Sequence, residues 1–575
     1  RMVAAYPDGY PSEMRFRTVA YPLLDDLVGA VRPTLLLLMG AVGLAFAIVW
    51  ANVANLQLAR LASRADELAL RRALGAGRLR IATQVLVESL VLATAGGLLG
   101  ILVAAGTTSL MLQALPASIP RVDAVGLNGP VLMFGLATAL LSGVLFGAVP
   151  AWYAGRGSTP TRLAAGDRNT GDGGRNRLRR GLVVCQVAVA VVLAASSVLV
   201  ARSLRALSSV DPGFRTENIV SARFGLPSAR YPSDAEVTAF FDSFVEEVAA
   251  LPGVDGAGAV RNLPLATRLG DMGFELEENR IPEGRDMPDA DWQVVTPGYF
   301  ETLRLRLLSG RTVTPGDRSD APGVVVINRT MADLYWSGQD PLGRRIRLGG
   351  DMTEPRWAEV VGIVDDVKHA SLDAPARPQM YLAHQQFRGW AGGAPLRTLT
   401  VVAHTTLAPA ELIRTMRERL AARDPELALY GATTLEEARG QSLARQRFTG
   451  FMLTAFTTLA LSLALIGVYG VMTYAVRQQT REFGIRIALG AAPRLVVNGV
   501  LRQAVRMVLL GTLLGLAVTL SLSSVLRGFL YDVSPTDPAS LTLTLLAVAA
   551  AALLASFLPA RTASRSDPVA ALKAE

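Results

Sequence analysis

Glu67-Leu-Ala-Leu-Arg-Arg-Ala-Leu-Gly-Ala76 returns near the end of the chain as Glu482-Phe-Gly-Ile-Arg-Ile-Ala-Leu-Gly-Ala491. Glu67 pairs with Glu482, Arg71 with Arg486, Leu74 with Leu489 and Gly75 with Gly490, at a constant offset of 415 residues. The register holds without a gap through Leu98-Leu99-Gly100 against Leu513-Leu514-Gly515. Long apolar runs precede and follow each copy. A repeat of this kind fixes the architecture before any single element is assigned. One chain carries two copies of a membrane module, each offering the same short polar helix to the same side of a bilayer.

Composition agrees. Of 575 residues, 51% are hydrophobic and only 18% charged, and mean hydropathy is +0.34. A soluble globular chain carries about a quarter charged residues, so a membrane protein is implied. The net charge of +9 sits beside apolar runs rather than on an aromatic-laced face, which speaks for topology and against nucleic acid. Cys185 is the single cysteine, so disulfides and cysteine-ligated zinc are excluded. His369, His384 and His404 show no metal-ligand spacing, and no cofactor is expected. Lys368 and Lys573 are the only lysines, and neither follows a glycine. The phosphate loop G-x-x-x-x-G-K-[ST] needs that lysine, so these residues contain no ATP-hydrolysing site of that type and no enzyme is expected.

A spanning helix needs ~20 mostly apolar residues. Seven segments qualify: about 34–56, 81–106, 130–149, 181–201, 451–474, 495–522 and 540–558. Arg502 and Arg506 suggest that the sixth enters along the interface. Arginines fill the connections after the first, third and fifth segments and the tail after the seventh. The alternate connections hold only Arg121 and Arg527. Arginine accumulates in short loops that stay in the cytoplasm, so both repeated motifs should be cytoplasmic and 202–447 outside.

The external region reads as α/β. Asn218–Leu226 alternates as a strand, Ser233–Leu251 has helical periodicity with a capping start, and Gly256–Leu263 returns to strand. A second strand–helix–strand unit follows at 396–404, 409–422 and 427–433. Between the two βαβ units lies a β-rich insert, with strands at 292–295, 323–327, 345–348 and 357–364 and a helix near 331–336. Met14–Ala20 and Leu427–Thr433 hold equivalent places ahead of a span, both as strands. Together with the opening Arg1, this leads to the expectation that the first copy lacks its first span and most of its external domain. The expected organisation is a remnant external segment 1–32, a first module 33–157, a Gly- and Arg-rich cytoplasmic linker 158–180, a span 181–203, the external domain 204–447 and a second module 448–575.

The repeated Glu-Phe-Gly-Ile-Arg-Ile-Ala-Leu-Gly-Ala motif between two spans resembles the signature of MacB/FtsX-type ABC transporter permeases. Val295-Thr-Pro-Gly-Tyr-Phe-Glu-Thr-Leu303, Val324-Val-Ile-Asn-Arg-Thr-Met331, Tyr335-Trp-Ser-Gly-Gln-Asp-Pro-Leu-Gly343 and Glu359-Val-Val-Gly-Ile-Val364 resemble the MacB-like periplasmic core domain. Two modules in one chain resemble the duplicated permeases common in Acidobacteria. The resemblance implies an α-helical inner-membrane protein with two FtsX-like modules and a large α+β periplasmic domain. It further implies a cytoplasmic ABC ATPase dimer as partner, which drives periplasmic movement for efflux or export, with a periplasmic adaptor or envelope protein and membrane lipid as further partners. A non-transporting scaffold or mechanotransmission sensor is the alternative.

The coupling helices carry the candidate site: Glu67, Arg71, Leu74 and Gly75 in the first copy, and Glu482, Arg486, Leu489 and Gly490 in the second. Glutamate four residues before arginine makes a helical surface pair, and the glycine suits a helix end. The resemblance implies insertion into a groove on the ATPase. Asn52 and Asn55, one helical turn apart inside a span, read as amides bonding neighbouring helices; Gly467 and Gly470 stand at their places in the second copy. Gly96, Gly97, Gly100, Gly511 and Gly515 read as close-packing positions. Asp365-Asp366 reads as a strand-end turn rather than acid–base machinery.

Overall fold

The computed structural model describes residues 22–23, 29, 31–64, 67, 70–71, 74, 77–114, 126–155, 172–266, 269–277, 288–348, 357–389, 396–478 and 493–564. They form two compact units: Leu207–Arg445, and Tyr21–Ala206 together with Gln446–Glu575.

The second unit is helical. Its long helices are α1 (Arg32–Ser63), α2 (Arg78–Ala114), α3 (Gly129–Gly155) and α4 (Asp172–Ser208). Six described helices of the chain are long and apolar enough to cross a membrane. Of the seven expected spans, the third is the exception. Helix α3 has 27 residues, but its apolar described part is Gly129–Leu145. Leucines such as Leu98, Leu99 and Leu102 on α2 are more than half exposed, as befits side chains that face hydrocarbon.

Helix packing follows small residues where they meet a neighbour. On α3, Gly143 and Gly147 face α2, where an added Cβ would come within 2.6 Å of Ala93 and 2.8 Å of Leu86. Gly97 meets Ala139 in the same way, at 3.0 Å, whereas Gly96 and Gly100 face open space. The expectation of close packing therefore holds for only one of those three.

The first unit is built on eleven strands among the described residues. In chain order they are β1 (Ile219–Gly225), β2 (Val254–Val260), β3 (Asp271–Leu276), β4 (Asp289–Val295), β5 (Leu307–Gly310), β6 (Gly323–Asn328), β7 (Arg345–Leu348), β8 (Trp357–Val364), β9 (Gln379–Ala383), β10 (Thr398–Thr405) and β11 (Tyr430–Thr434). Their helices are α5 (Asp234–Ala249), α6 (Tyr299–Thr302), α7 (Arg329–Tyr335), α8 (Pro409–Arg423) and α9 (Leu435–Ser442).

The order β11-β1-β10-β2 interleaves the two βαβ units. Strands β1 and β2 do not touch; β10 runs antiparallel between them, and β1 likewise separates β10 from β11. This is the split βαβ arrangement. Helix α5 starts on a capping box, Ser233 with Glu236, and α8 starts with Pro409 in its first turn, where a missing N–H costs nothing. Both cover one face of the sheet through Phe224, Phe241, Phe244, Val248, Leu412, Met416 and Leu420. Phe224 stacks on Phe241 at 4.9 Å and meets Phe244 edge-on at 5.2 Å.

The insert is not a separate sheet. Strand β2 passes its ladder to β4 through the single pair Val260 with Val295. From there β4, β3, β7, β8, β6 and β9 pair in turn, and β9 returns to β4. Six strands thus close into a barrel, which removes the edges an inserted sheet would expose. Phe274, Val294, Val325, Ile327, Ile346, Val360 and Met380 fill it.

The remaining helices belong to the membrane unit: α10 (Ala444–Gln478), α11 (Pro493–Ser521), α12 (Ser523–Arg527) and α13 (Pro538–Ser564). A core of Val183, Val187, Val191, Val468, Met472, Ala504, Met507 and Val548 joins α4, α10, α11 and α13. Gly511 and Gly515 let α11 approach α4; an added Cβ would lie 2.7 Å from Val187 and 2.6 Å from the Ala188 carbonyl. Met14–Ala20, expected as a strand, lies outside the described residues.

Candidate coupling site

The first repeated motif follows α1. Glu67, one turn beyond its last residue, takes Arg71 at 2.5 Å across one helical turn. Arg64 adds a second guanidinium on Glu67, Nε to Oε2 at 2.9 Å. Hydrogen bonding from Arg64 holds the Glu67 carboxyl below its ordinary range, so it is an anion at any physiological pH.

The pair is anchored to the next helix. Arg64 donates to Glu88 on α2 at 2.8 Å, Arg71 donates to Gln84 at 2.8 Å, and Gln84 donates to Glu88 at 3.2 Å. Five polar side chains thus tie the motif to the entry of α2. Exposed ion pairs contribute little stability, ~0–1 kcal/mol each, so the network's role is to orient.

What it orients is apolar. Leu74 is 80% exposed and Leu70 63%, and the Leu74 N–H bonds the Leu70 carbonyl at 3.0 Å as in a helical turn. Residues four apart lie on one helix face. An anchored polar base and two bare leucines make a shape suited to entering a groove on another protein.

Of the eight expected site residues, the structure places Glu67 and Arg71 together and Leu74 beside them. Gly75, Glu482, Arg486, Leu489 and Gly490 lie outside the described residues. Sequence reasoning missed Leu70, whose repeat partner is Ile485, and the anchors Arg64, Gln84 and Glu88. The i, i+4 spacing of Leu70 and Leu74 was the available signal; no spacing in the sequence announces the contact with α2.

In the external unit the Val295–Leu303 motif has a structural explanation. Thr296 accepts the Ala259 N–H on Oγ1 at 2.7 Å, and its own N–H bonds the Ala259 carbonyl at 3.0 Å. Gly298, at φ +85°, precedes α6 with a virtual Cβ 2.5 Å from the Ala257 carbonyl, so no side chain fits. Tyr299 and Phe300 then turn inward and are almost fully buried. Asp366 accepts from Asn328 Nδ2 at 2.7 Å, Thr330 N–H at 3.0 Å and Thr330 Oγ1 at 2.8 Å. Asp365 pairs with Arg329 at 3.1 Å. Both carboxylates fasten the start of α7. His369 and His384 are buried, and burial pushes their pKa values down to about 3 and about 4. Gln379 Nε2 lies 3.0 Å from His369 Nε2, donating to a neutral ring. Among the described residues no cluster of three or more metal-ligating side chains occurs.

A polar motif repeated in sequence between spanning segments, with a large α/β domain outside the bilayer, defines a membrane permease with an extracytoplasmic domain. Residues 39–159 and 454–568 match the FtsX-like permease C-terminal domain, and residues 181–419 match the MacB-like periplasmic core domain. The chain belongs to the MacB/FtsX-like ABC transporter permeases, multi-pass proteins of the bacterial inner membrane with a periplasmic domain.

Among its relatives is the pyoverdine export ATP-binding/permease protein PvdT of Pseudomonas savastanoi pv. phaseolicola, 29% identical over 292 residues, which are 50% of this chain and 41% of the relative. The macrolide export ATP-binding/permease protein MacB of Wolinella succinogenes is 25% identical over 406 residues, 69% of this chain and 57% of the relative. The chain therefore spans about two fifths to three fifths of these curated relatives. The periplasmic region of MacB from Actinobacillus actinomycetemcomitans aligns over 40% of this chain and 93% of its own length, at 14% identity and a TM-score of 0.28.

Proposed function

We propose that the chain couples ATP hydrolysis by a separate cytoplasmic ATPase dimer to movement of its periplasmic domain, for export. The carrying observation is the exposed leucine pair Leu70 and Leu74, set beside the network in which Glu67 pairs with Arg71 and Arg64 bridges Glu67 to Glu88, and repeated in sequence as Ile485 and Leu489. Two copies of the motif in the sequence suit the two equivalent grooves of an ATPase dimer. The relatives named above carry "ATP-binding" and "export" in their names, which supports both halves of the reading. A periplasmic adaptor or envelope protein and the surrounding lipid complete the proposed partners.

Burying one leucine is worth ~1.5–3 kcal/mol, about 10- to 100-fold in affinity. Tagged chain recovered from its host's membranes is expected to bring down an ABC ATPase. Leu74→Ala with Leu489→Ala should cut the captured ATPase at least ~10-fold while the amount of inserted chain stays constant. Undiminished capture by that double variant would contradict the proposed contact.

A further inference from the structure

The offset that pairs Glu67 with Glu482 also pairs Asn52, on α1, with Gly467, on α10. These two equivalent positions face each other. Asn52 is buried and donates from Nδ2 to the Leu463 carbonyl of α10 at 2.8 Å. Its Oδ1 accepts from Gln186 Nε2 of α4 at 3.3 Å. A Cβ added at Gly467 would stand 2.9 Å from Asn52 Oδ1 and would overlap Gln186 Oε1. One module fills the shared space with an amide, and the other leaves it empty.

We propose that Asn52, Gly467 and Gln186 form an asymmetric lock where α1 meets α10, and that this lock selects the second module of the same chain, rather than a second copy, as partner of the first. Two α1 helices meeting in this register would set two amides into the room of one. Two α10 helices would leave a gap and strip the Gln186 amide of its partner. A polar group without a partner in hydrocarbon is costly, and a single buried amide is known to fix helix register and partner choice. The lock is confined to this pair. One turn further, Asn55 has no hydrogen-bond partner for either side-chain atom, and its repeat position Gly470 has open space at its Cβ. The proposal stands whether or not the chain couples to an ATPase.

Two experiments on the full chain test it. In a Cys185→Ser background that keeps the lock intact, Ile48→Cys with Ala460→Cys, two members of one buried cluster on α1 and α10, is oxidised in membranes, and the connection between α3 and α4 is cut at an introduced protease site. The halves should remain joined at the size of one chain until reduced. A cross-link between two chains, or none, overturns the proposal. In detergent, Gly467→Ala should lower the apparent Tm by about 3 °C or more, while Gly470→Ala changes it by less than about 1 °C. In a Gln186→Ala background the cost of Gly467→Ala should shrink by roughly half or more. Equal responses at the two glycines, or no relief from Gln186→Ala, would show that no lock exists.

Discussion

At the scale of single residues, polar groups in this chain earn different roles from their surroundings. Glu67 lies outside the membrane core and is ionised, so it serves orientation. His369 and His384 are buried and neutral, so they serve packing, and they make the periplasmic domain acid-sensitive. Their folded pKa values of about 3 and about 4 lie below the ordinary value of ~6.5. Between these limits the unfolded chain binds protons that the folded chain does not. Stability is therefore fully present above pH ~6.5 and is lost as pH falls, at about 1.4 kcal/mol per unit for each histidine. Urea unfolding of the purified chain, followed by tryptophan fluorescence between pH 7 and pH ~4, should show that slope. His384→Gln should flatten it by roughly half. An unchanged slope in the variant would remove His384 from the explanation.

At the scale of elements, local chemistry was legible and closure was not. The box Ser233 with Glu236 and the alternation read over 218–226 announced a helix and a strand, because caps and periodicity are properties of neighbouring residues. Strands β3, β5 and β9 were not anticipated. β5 has four residues, and β9 is buried at every position, so neither alternates. Barrel closure depends on β9 pairing with β4 and β6, contacts that no spacing in the sequence reveals. The coupling motif was legible because it repeats; its anchorage on α2 was not. Gly298 packs on Ala257 of β2, beside the Val260–Val295 passage from the split βαβ sheet into the barrel. Gly298→Ala forces a left-handed backbone on a side chain and drives its Cβ into the Ala257 carbonyl. The expected loss is about 2–3 kcal/mol, measured as a lowered urea midpoint. A loss below ~0.5 kcal/mol would show that the passage relaxes freely.

At the scale of the whole molecule, the proposed coupling requires one sidedness. A periplasmic domain at 207–445 and the proposed cytoplasmic place of both repeated motifs rest on one assignment: arginine-rich short loops stay inside. Thiol labelling tests it directly, in a Cys185→Ser background that removes the single native cysteine. Ser319 is exposed in the external unit. Gly77 is exposed beside the first coupling motif, with open space where a side chain would start. Ser319→Cys should react with a membrane-impermeant maleimide in intact spheroplasts, and Gly77→Cys should react only after lysis. Labelling of Gly77→Cys in intact spheroplasts, with Ser319→Cys protected until lysis, would invert the orientation and contradict the account of an ATPase-coupled permease.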